Sequence, residues 1–280
     1  MAGAPHLFDR ALAATRAARR RGPEPNILTR TIAEELVERV AFVNRRFERV
    51  LLIAAEPEAI AGRLKEGGQV KEVEMRLPSS GDRLGLPQEQ FDAVFSVLDL
   101  QTFNDVPGAL IQMRHALKPD GLLLVCLFAG DTLTELRQSW LAAEVAISGG
   151  VTPRVAPMID VRELGALLQR AGLALPVADL DRTMVRYSDA VALIHEIREL
   201  GLSNNLVGRS RVPVSRRLMG AAINHYQQNF ADPDDRVRAT IEIAWLTGWA
   251  PHESQQQPLK PGSAKARLAD ALKVDEKKLR

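Results

Sequence analysis

The distribution of apolar residues predicts an α/β protein built on an open, mostly parallel sheet. Three observations lead there. Residues 91–128 read as strand, loop, helix, turn, strand, a β-α-β unit that requires parallel neighbours and a right-handed crossover. Residues 49–55, RVLLIAA, form a second continuous apolar run upstream of it, the pattern of a strand buried on both faces. Late in the chain, residues 236–249 switch to period two, with Val237, Ala239, Ile241, Ile243, Trp245, Thr247 and Trp249 alternating with more polar positions. That alternation predicts a strand joining the sheet's edge, antiparallel.

Taken in order, residues 7–21 predict a first helix with Leu7, Phe8 and Leu12 inward, ended by Gly22-Pro23-Glu24-Pro25. Thr31 and Glu34 have capping-box spacing. The helix over about 32–46 places Ile32, Leu36, Val40 and Val43 on one face, with Arg45 and Arg46 in its last turn. After the strand at 49–55, a helix begins at Pro57 and ends at Gly67-Gly68, followed by a short strand over 70–75. In the central unit, Asn104 or Asp105 caps a helix whose first turn holds Pro107, and Val106, Leu110, Met113 and Leu117 form its apolar row. Pro119 and Gly121 stop it before the strand at 122–128. Thr132 and Glu135 suggest a second capping box, and Asp160 a further cap. Residues 184–187 predict a short strand, and helices follow over about 189–200 and 213–230. The expected organisation is N-terminal helices (1–48), a core (49–187 plus 236–250), a helical insertion packed on it as a lid (188–235) and a tail (251–280).

Composition narrows the function classes. A net charge of +2 over 280 residues gives no basic field of the kind nucleic acid selects. The single Cys126, inside an apolar strand, excludes a disulfide framework and a cysteine-based zinc site; no metal site is expected. No apolar run approaches the ~20 residues of a membrane span, and the arginine-rich start lacks the apolar core of a secretory signal, so the expected location is the cytoplasm.

The element order and the phrase DRLGLPQEQFDAVFSVLDLQTFNDVPGALIQMRHALKPDGLLLV resemble the type-11 branch of the class I S-adenosylmethionine-dependent methyltransferases, which includes the malonyl-carrier-protein methyltransferases. Leu7-Phe8-Asp9-Arg10, residues 130–137 (GDTLTELR), residues 167–172 (LLQRAG), residues 246–257 (LTGWAPHESQQQ) and Pro261-Gly262-Ser263-Ala264 are similar to a narrower bacterial group, related to mitochondrial complex I assembly factor 5. The resemblance implies a Rossmann-like methyltransferase sheet, bound S-adenosylmethionine, and a respiratory complex I subunit or other protein as partner. It implies either modification of a protein or carboxylate substrate or, alternatively, a non-catalytic binding and assembly role, a pseudoenzyme. The mitochondrial member of the group is associated with arginine hydroxylation.

Ligands of open α/β sheets bind at the carboxyl ends of the strands. Laid on the family pattern, the cofactor positions are Ala54, Ala55, Glu56, Glu74, Asp82, Arg83 and Leu98; Glu74 is the candidate for the ribose hydroxyls, with a plain surface carboxylate as the alternative reading, and Asp82 matches the position that contacts the adenine amino group. The glycine-rich turn of the family is replaced: Leu52 stands at its acidic position, and Ala54, Glu56 and Glu58 at its glycines. Those glycines let a ligand approach bare backbone, and the next helix N-terminus faces its carboxylate. Catalytic candidates are His252, Asp131 and Arg137; structural readings stand beside each, a strand-end histidine, a helix cap and a surface charge.

Overall fold

The computed structural model describes residues 6–19 and 26–256. Helices α1 (Arg10–Arg19) and α2 (Ile27–Phe42) precede β1 (Phe47–Ile53), α3 (Pro57–Glu66) and β2 (Val70–Arg76). The central unit is β3 (Phe91–Val97), a short 3-10 turn (Leu100–Thr102), α4 (Val106–Ala116) and β4 (Leu117–Phe128). Then come α5 (Thr134–Ser148), α6 (Val161–Arg170), β5 (Ala174–Tyr187), α7 (Ala190–Glu199), α8 (Arg216–Phe230) and β6 (Val237–Trp249).

The sheet runs β2-β1-β3-β4-β6-β5. β1 to β4 are mutually parallel, and β6 pairs antiparallel with both β4 and β5. The chain steps one way from β1 to β2 and the other way to β3. This places a topological switch point between β1 and β3, where such sheets open a crevice. One face of the sheet is covered by α4 and α6, the other by α2 and α3, each layer with its own buried apolar cluster. A third cluster joins α5, α7 and α8 to the first residues of β6 through Leu136, Trp140, Leu193, Leu218, Ala222 and Tyr226. These three helices therefore cap the carboxyl ends of the parallel strands.

Several elements differ from the sequence expectation. β5 was expected only over 184–187; it starts at Ala174 and forms the edge, so the antiparallel β6 lies one strand in from it. Its alternation is hidden because Asp179, Asp181 and Arg182 read as loop, while Asp179 and Asp181 are held by Arg39 at 3.0 and 2.9 Å. α2 begins one turn early because Asn26 caps it, accepting from Leu28 N at 2.8 Å; Thr31 then lies inside the helix and caps nothing at its start. Asp105 rather than Asn104 caps α4. The Thr132/Glu135 box does not form: the Glu135 carboxylate accepts from the backbone and hydroxyl of Thr240 on β6. α1 starts at Arg10 instead of near residue 7; Phe8 just before it, Arg10 and Ala17 turn inward, leaving Leu7 half exposed. The stop at Gly22–Pro25 and the sequence from Gln257 through Pro261–Ala264 lie outside the described residues.

Candidate functional site

A cavity of about 300 Å³ crosses the carboxyl ends of the strands, at the lower end of the range for small-ligand pockets. Its floor comes from the strand ends: Ala55 after β1, Pro78 after β2, Leu98 and Asp99 after β3, Phe128 at the end of β4, and Ile241 and Ile243 of β6. Phe8 and Ala17 of the N-terminal segment, Leu133 before α5, Leu193 of α7 and the loop Leu202–Asn205 close it.

The N-terminal segment is tied down by polar contacts, not by a broad apolar face. Asn104 accepts from the backbone N–H groups of Leu7 and Phe8, both at 2.8 Å. Arg10 reaches the end of β3, where its guanidinium donates to Asp99 at 2.6 Å, to Thr102 Oγ1 and to Ser79 Oγ, and lies 3.8 Å over the Phe103 ring. Both side chains of this ion pair are buried, at 3% and 2% exposure. Burial pushes the Asp99 carboxyl above the usual carboxylate range, with Arg10 opposing. Arg16 donates to the carbonyls of Ser203 and Asn204, both at 2.7 Å.

Two non-glycine residues adopt left-handed backbone at the rim, Leu98 (φ 51°) and Leu133 (φ 58°). Each costs of order 1–3 kcal/mol, and such strain concentrates at functional sites. The lining is acidic: Glu35, Asp99, Asp181 and Glu196 face it with one guanidinium, Arg154, itself paired with Glu144 at 2.7 Å. Burial, and then its hydrogen bond with Asp181, raises the Glu35 carboxyl. Burial and Glu196 push the Tyr187 hydroxyl up. Cys126 lies beneath in β4; burial pushes its thiol up to about 12, so it is not a nucleophile.

Of the residues singled out from sequence, Ala55 and Leu98 meet across the switch point as cavity lining. Ala54 is buried beneath them. Glu56 stands at the N-cap of α3. Glu74 does not reach the cavity: it pairs with Leu51 two residues before the end of β2, and its carboxylate is held by Arg49 at 2.9 Å and Arg76 at 3.0 Å. Asp82 and Arg83 lie outside the lining; Asp82 accepts from Asn104 N at 3.1 Å and its carbonyl accepts from Gln112, which braces α4. Asp131 is exposed beside Arg182. Arg137 donates to the carbonyls of Thr132 and Ala156, holding loops. His252 is on the wrong end of the sheet. Because β6 runs antiparallel, its last residues sit against Gly121 and Asp120 at the start of β4, and His252 is exposed there beside Ser254. It cannot reach over the cavity.

Sequence reasoning missed Arg10, Glu35, Asp99, Gln101 and Asp181. The signals were present as polar residues at the end of an apolar strand (Asp99, Gln101) and as the charged half of Leu7-Phe8-Asp9-Arg10. Among the described residues no group of three or more His, Cys, Asp or Glu is placed to hold a metal ion, and no helix is long and apolar enough to cross a membrane.

Residues 13–125 match the methyltransferase domain model Methyltransf_11. The chain is 37% identical over 191 residues to the mitochondrial arginine-hydroxylase NDUFAF5 of Danio rerio, covering 68% of this chain and 59% of the relative. It is 32% identical over 173 residues to the malonyl-[acyl-carrier protein] O-methyltransferase of Xylella fastidiosa, covering 61% and 56%. The chain thus spans little more than half the length of these curated relatives. Among solved structures, it is similar to the N-methyltransferase NodS of Bradyrhizobium japonicum in complex with S-adenosyl-L-homocysteine, at 12% identity, 87% and 100% coverage and a TM-score of 0.44.

Proposed function

The chain carries a type-11 methyltransferase domain and is a homologue of the NDUFAF5 proteins, and on that premise we propose that it binds S-adenosylmethionine over the β1–β3 switch point and modifies a cationic side chain, an arginine, of a protein partner. The observation that carries this reading is the excess of carboxylates around the cavity: Glu35, Asp99, Asp181 and Glu196 line it, Asp99 is paired with Arg10, a single Arg39 is shared between Glu35 and Asp181, and the one lining guanidinium, Arg154, is taken by Glu144. A low-dielectric cleft lined by one sign of charge concentrates ligands of the other. A respiratory complex I subunit is the partner we propose, on the resemblance of the sequence.

The residues fit the cofactor unevenly. Ala55, Pro78, Leu98, Phe128 and Leu133 offer the apolar walls a purine needs, and the carboxylates suit a sulfonium. The anionic end is poorly served. No residue from 54 to 58 has positive φ, α3 opens with Pro57, which has no N–H to donate, and Glu56 and Glu58 add negative charge at its start. A like-charge contact at 4 Å costs about 4 kcal/mol near a protein surface, up to roughly a thousandfold in affinity. When bound, S-adenosylmethionine supplies an electrophilic carbon on a sulfonium. The chain's own residues then hold the nucleoside against the strand ends, aim the cationic side chain, and exclude water through α1 and the Leu202–Asn205 loop.

Calorimetry of the full chain with S-adenosylmethionine and its demethylated product tests the reading. Binding of either supports it; no binding of both at millimolar ligand refutes it. The loss of the glycine turn favours a second reading, a non-catalytic assembly protein for the same partner. A Leu98→Trp variant, which fills the cavity, distinguishes them: if it supports complex I assembly as well as the wild type does, the second reading stands.

A further inference from the structure

The helical layer beside the cavity carries charge that its own packing does not use. From Leu200 to Ala231 the sequence holds four arginines and no acidic residue. Arg209 is engaged: its guanidinium donates to Leu206 O at 2.7 Å and to Asp9 at 3.2 Å. Arg211, Arg216 and Arg217 are exposed, and among the described residues none of their side chains has a hydrogen-bond or ion-pair partner. Arg216 and Arg217 open α8, behind its cap Ser215. Cations in a first turn oppose the helix dipole, so they do not serve the helix. On the same segment Val212 is 74% exposed and Val207 47%.

This patch flanks the cavity. The loop Leu202–Asn205 closes the cavity, and Arg211 follows Asn205 by six residues, a reach of about 20 Å at most. Just before α8, Val214 packs in the same apolar cluster as Val155, which lines the cavity. Carboxylates are in excess within the cleft, and unpaired guanidiniums stand beside it.

We propose that Arg211, Arg216 and Arg217 dock an acidic stretch of the protein substrate, within about six residues of the cationic side chain that enters the cavity. A guanidinium forks onto a carboxylate through two parallel N–H donors, which an ammonium cannot do, and every free cation of the patch is an arginine. Val207 and Val212 offer the same stretch an apolar footing. A lipid surface is matched less well. Three cations fall below the roughly four to eight of a lipid-binding cluster, and residues 206–217 contain no Trp, Tyr or Phe to seat at a membrane interface. A net charge of +2 gives nucleic acid no wider basic field. The docking role rests on the protein-substrate reading above and extends it from the target side chain to the residues around it.

The test titrates three labelled, end-blocked peptides onto the full chain at low salt, read by fluorescence anisotropy: an arginine flanked by glutamates, the same arginine flanked by glutamines, and a norleucine flanked by glutamates. Phosphatidylcholine vesicles containing phosphatidylserine are tested alongside. Arg211→Gln/Arg216→Gln/Arg217→Gln neutralises the patch, and Arg46→Gln/Arg162→Gln/Arg170→Gln removes the same charge from exposed arginines elsewhere. Thermal melting establishes that both variants fold. Wild type should bind the glutamate-flanked arginine about tenfold more tightly than the glutamine-flanked one, roughly the sum of three exposed ion pairs. That preference should vanish in the patch variant, persist in the other, and shrink as salt rises. Equal affinity of wild type for the two arginine peptides overturns the docking role, and so does a preference that survives in the patch variant or is lost equally in both. Vesicle binding lost only in the patch variant, with no preference between the peptides, assigns the surface to a membrane and overturns it too. The norleucine peptide separates the two readings. If it binds as well as the arginine peptide while the glutamate preference follows the patch, the cationic-substrate reading fails and the docking surface stands. If arginine outbinds norleucine with no glutamate preference, the reverse holds. Binding of no peptide refutes both.

Discussion

The two ends of β3 hold carboxylates in opposite circumstances. At its start, Asp92 accepts from Arg49 N at 2.8 Å and from Lys118 Nζ at 2.7 Å, tying β1, β3 and β4 together. Burial alone would raise its pKa; the bonds from Lys118 and the backbone outweigh that and hold it below the usual carboxylate range. At the other end, Asp99 is buried completely enough that desolvation wins over Arg10, and its pKa is raised. Beside it, Leu98 is strained and Gln101 Oε1 has no partner. Left-handed backbone occurs at both ends, at Glu89 (φ 49°) and Asp120 (φ 60°) below and at Leu98 above; what sets the upper end apart is a carboxylate held against its desolvation and an unmet hydrogen bond. Structures accept such costs where a ligand is to be received.

The largest effect should come from breaking the pair at the upper end. Arg10→Met leaves Asp99 buried and uncompensated, expected to cost about 3–5 kcal/mol in urea unfolding. Combining it with Asp99→Leu should recover much of that loss, because both charges are then gone. If the double variant is no better than the single, Arg10 acts through packing on Phe103 instead. Next, Gly130→Ala should cost roughly 2 kcal/mol or more. Gly130 has φ 53°, and an added Cβ would collide with Glu242 Oε2, an oxygen that accepts from Asp131 N at 2.8 Å. Little change in its melting temperature would show that the Glu242 anchor is dispensable.

At the lower end, Asp92→Asn should cost about 1 kcal/mol at neutral pH. The sign with pH follows from the lowered folded pKa. Asp92 adds stability above its unfolded pKa and loses it as pH falls through the folded one, so the variant's stability should decline less steeply below about pH 4. Asp99, with its raised pKa, acts in the opposite sense: the folded state holds its proton more tightly, and its contribution falls as pH rises from the ordinary carboxylate range. Stability curves of Asp92→Asn and Asp99→Asn against pH should therefore diverge in opposite directions; parallel curves would erase the contrast between the ends. The smallest effect is reserved for His252→Ala, within about 0.5 kcal/mol of wild type and with unchanged ligand affinity. A binding defect there would mean that the lower edge contributes to the site.

How much of this was legible in the sequence depends on how local the physics is. The central β-α-β unit, the helix row Leu218, Ala222, Tyr226 and the antiparallel late strand were readable because periodicity encodes burial directly. β5 was not, since its aspartates are made compatible with a strand only by Arg39, 140 residues away from Asp179. His252 illustrates a different limit. The antiparallel direction of β6 was foreseen, but its consequence, that the strand finishes far from the cleft, appears only once the sheet order is fixed. Gln101 needed atomic accounting: a glutamine after an apolar run is unremarkable until its amide is seen bound on one side and bare on the other.

Hydrogen–deuterium exchange of the full chain, with and without saturating S-adenosylhomocysteine, tests most directly the claim that binding is confined to the upper end. The expected result is protection in peptides spanning residues 98–103 and 128–133, with residues 88–92 and 250–256 unchanged. Protection confined to the lower segments, or none in either set at millimolar ligand, would contradict it.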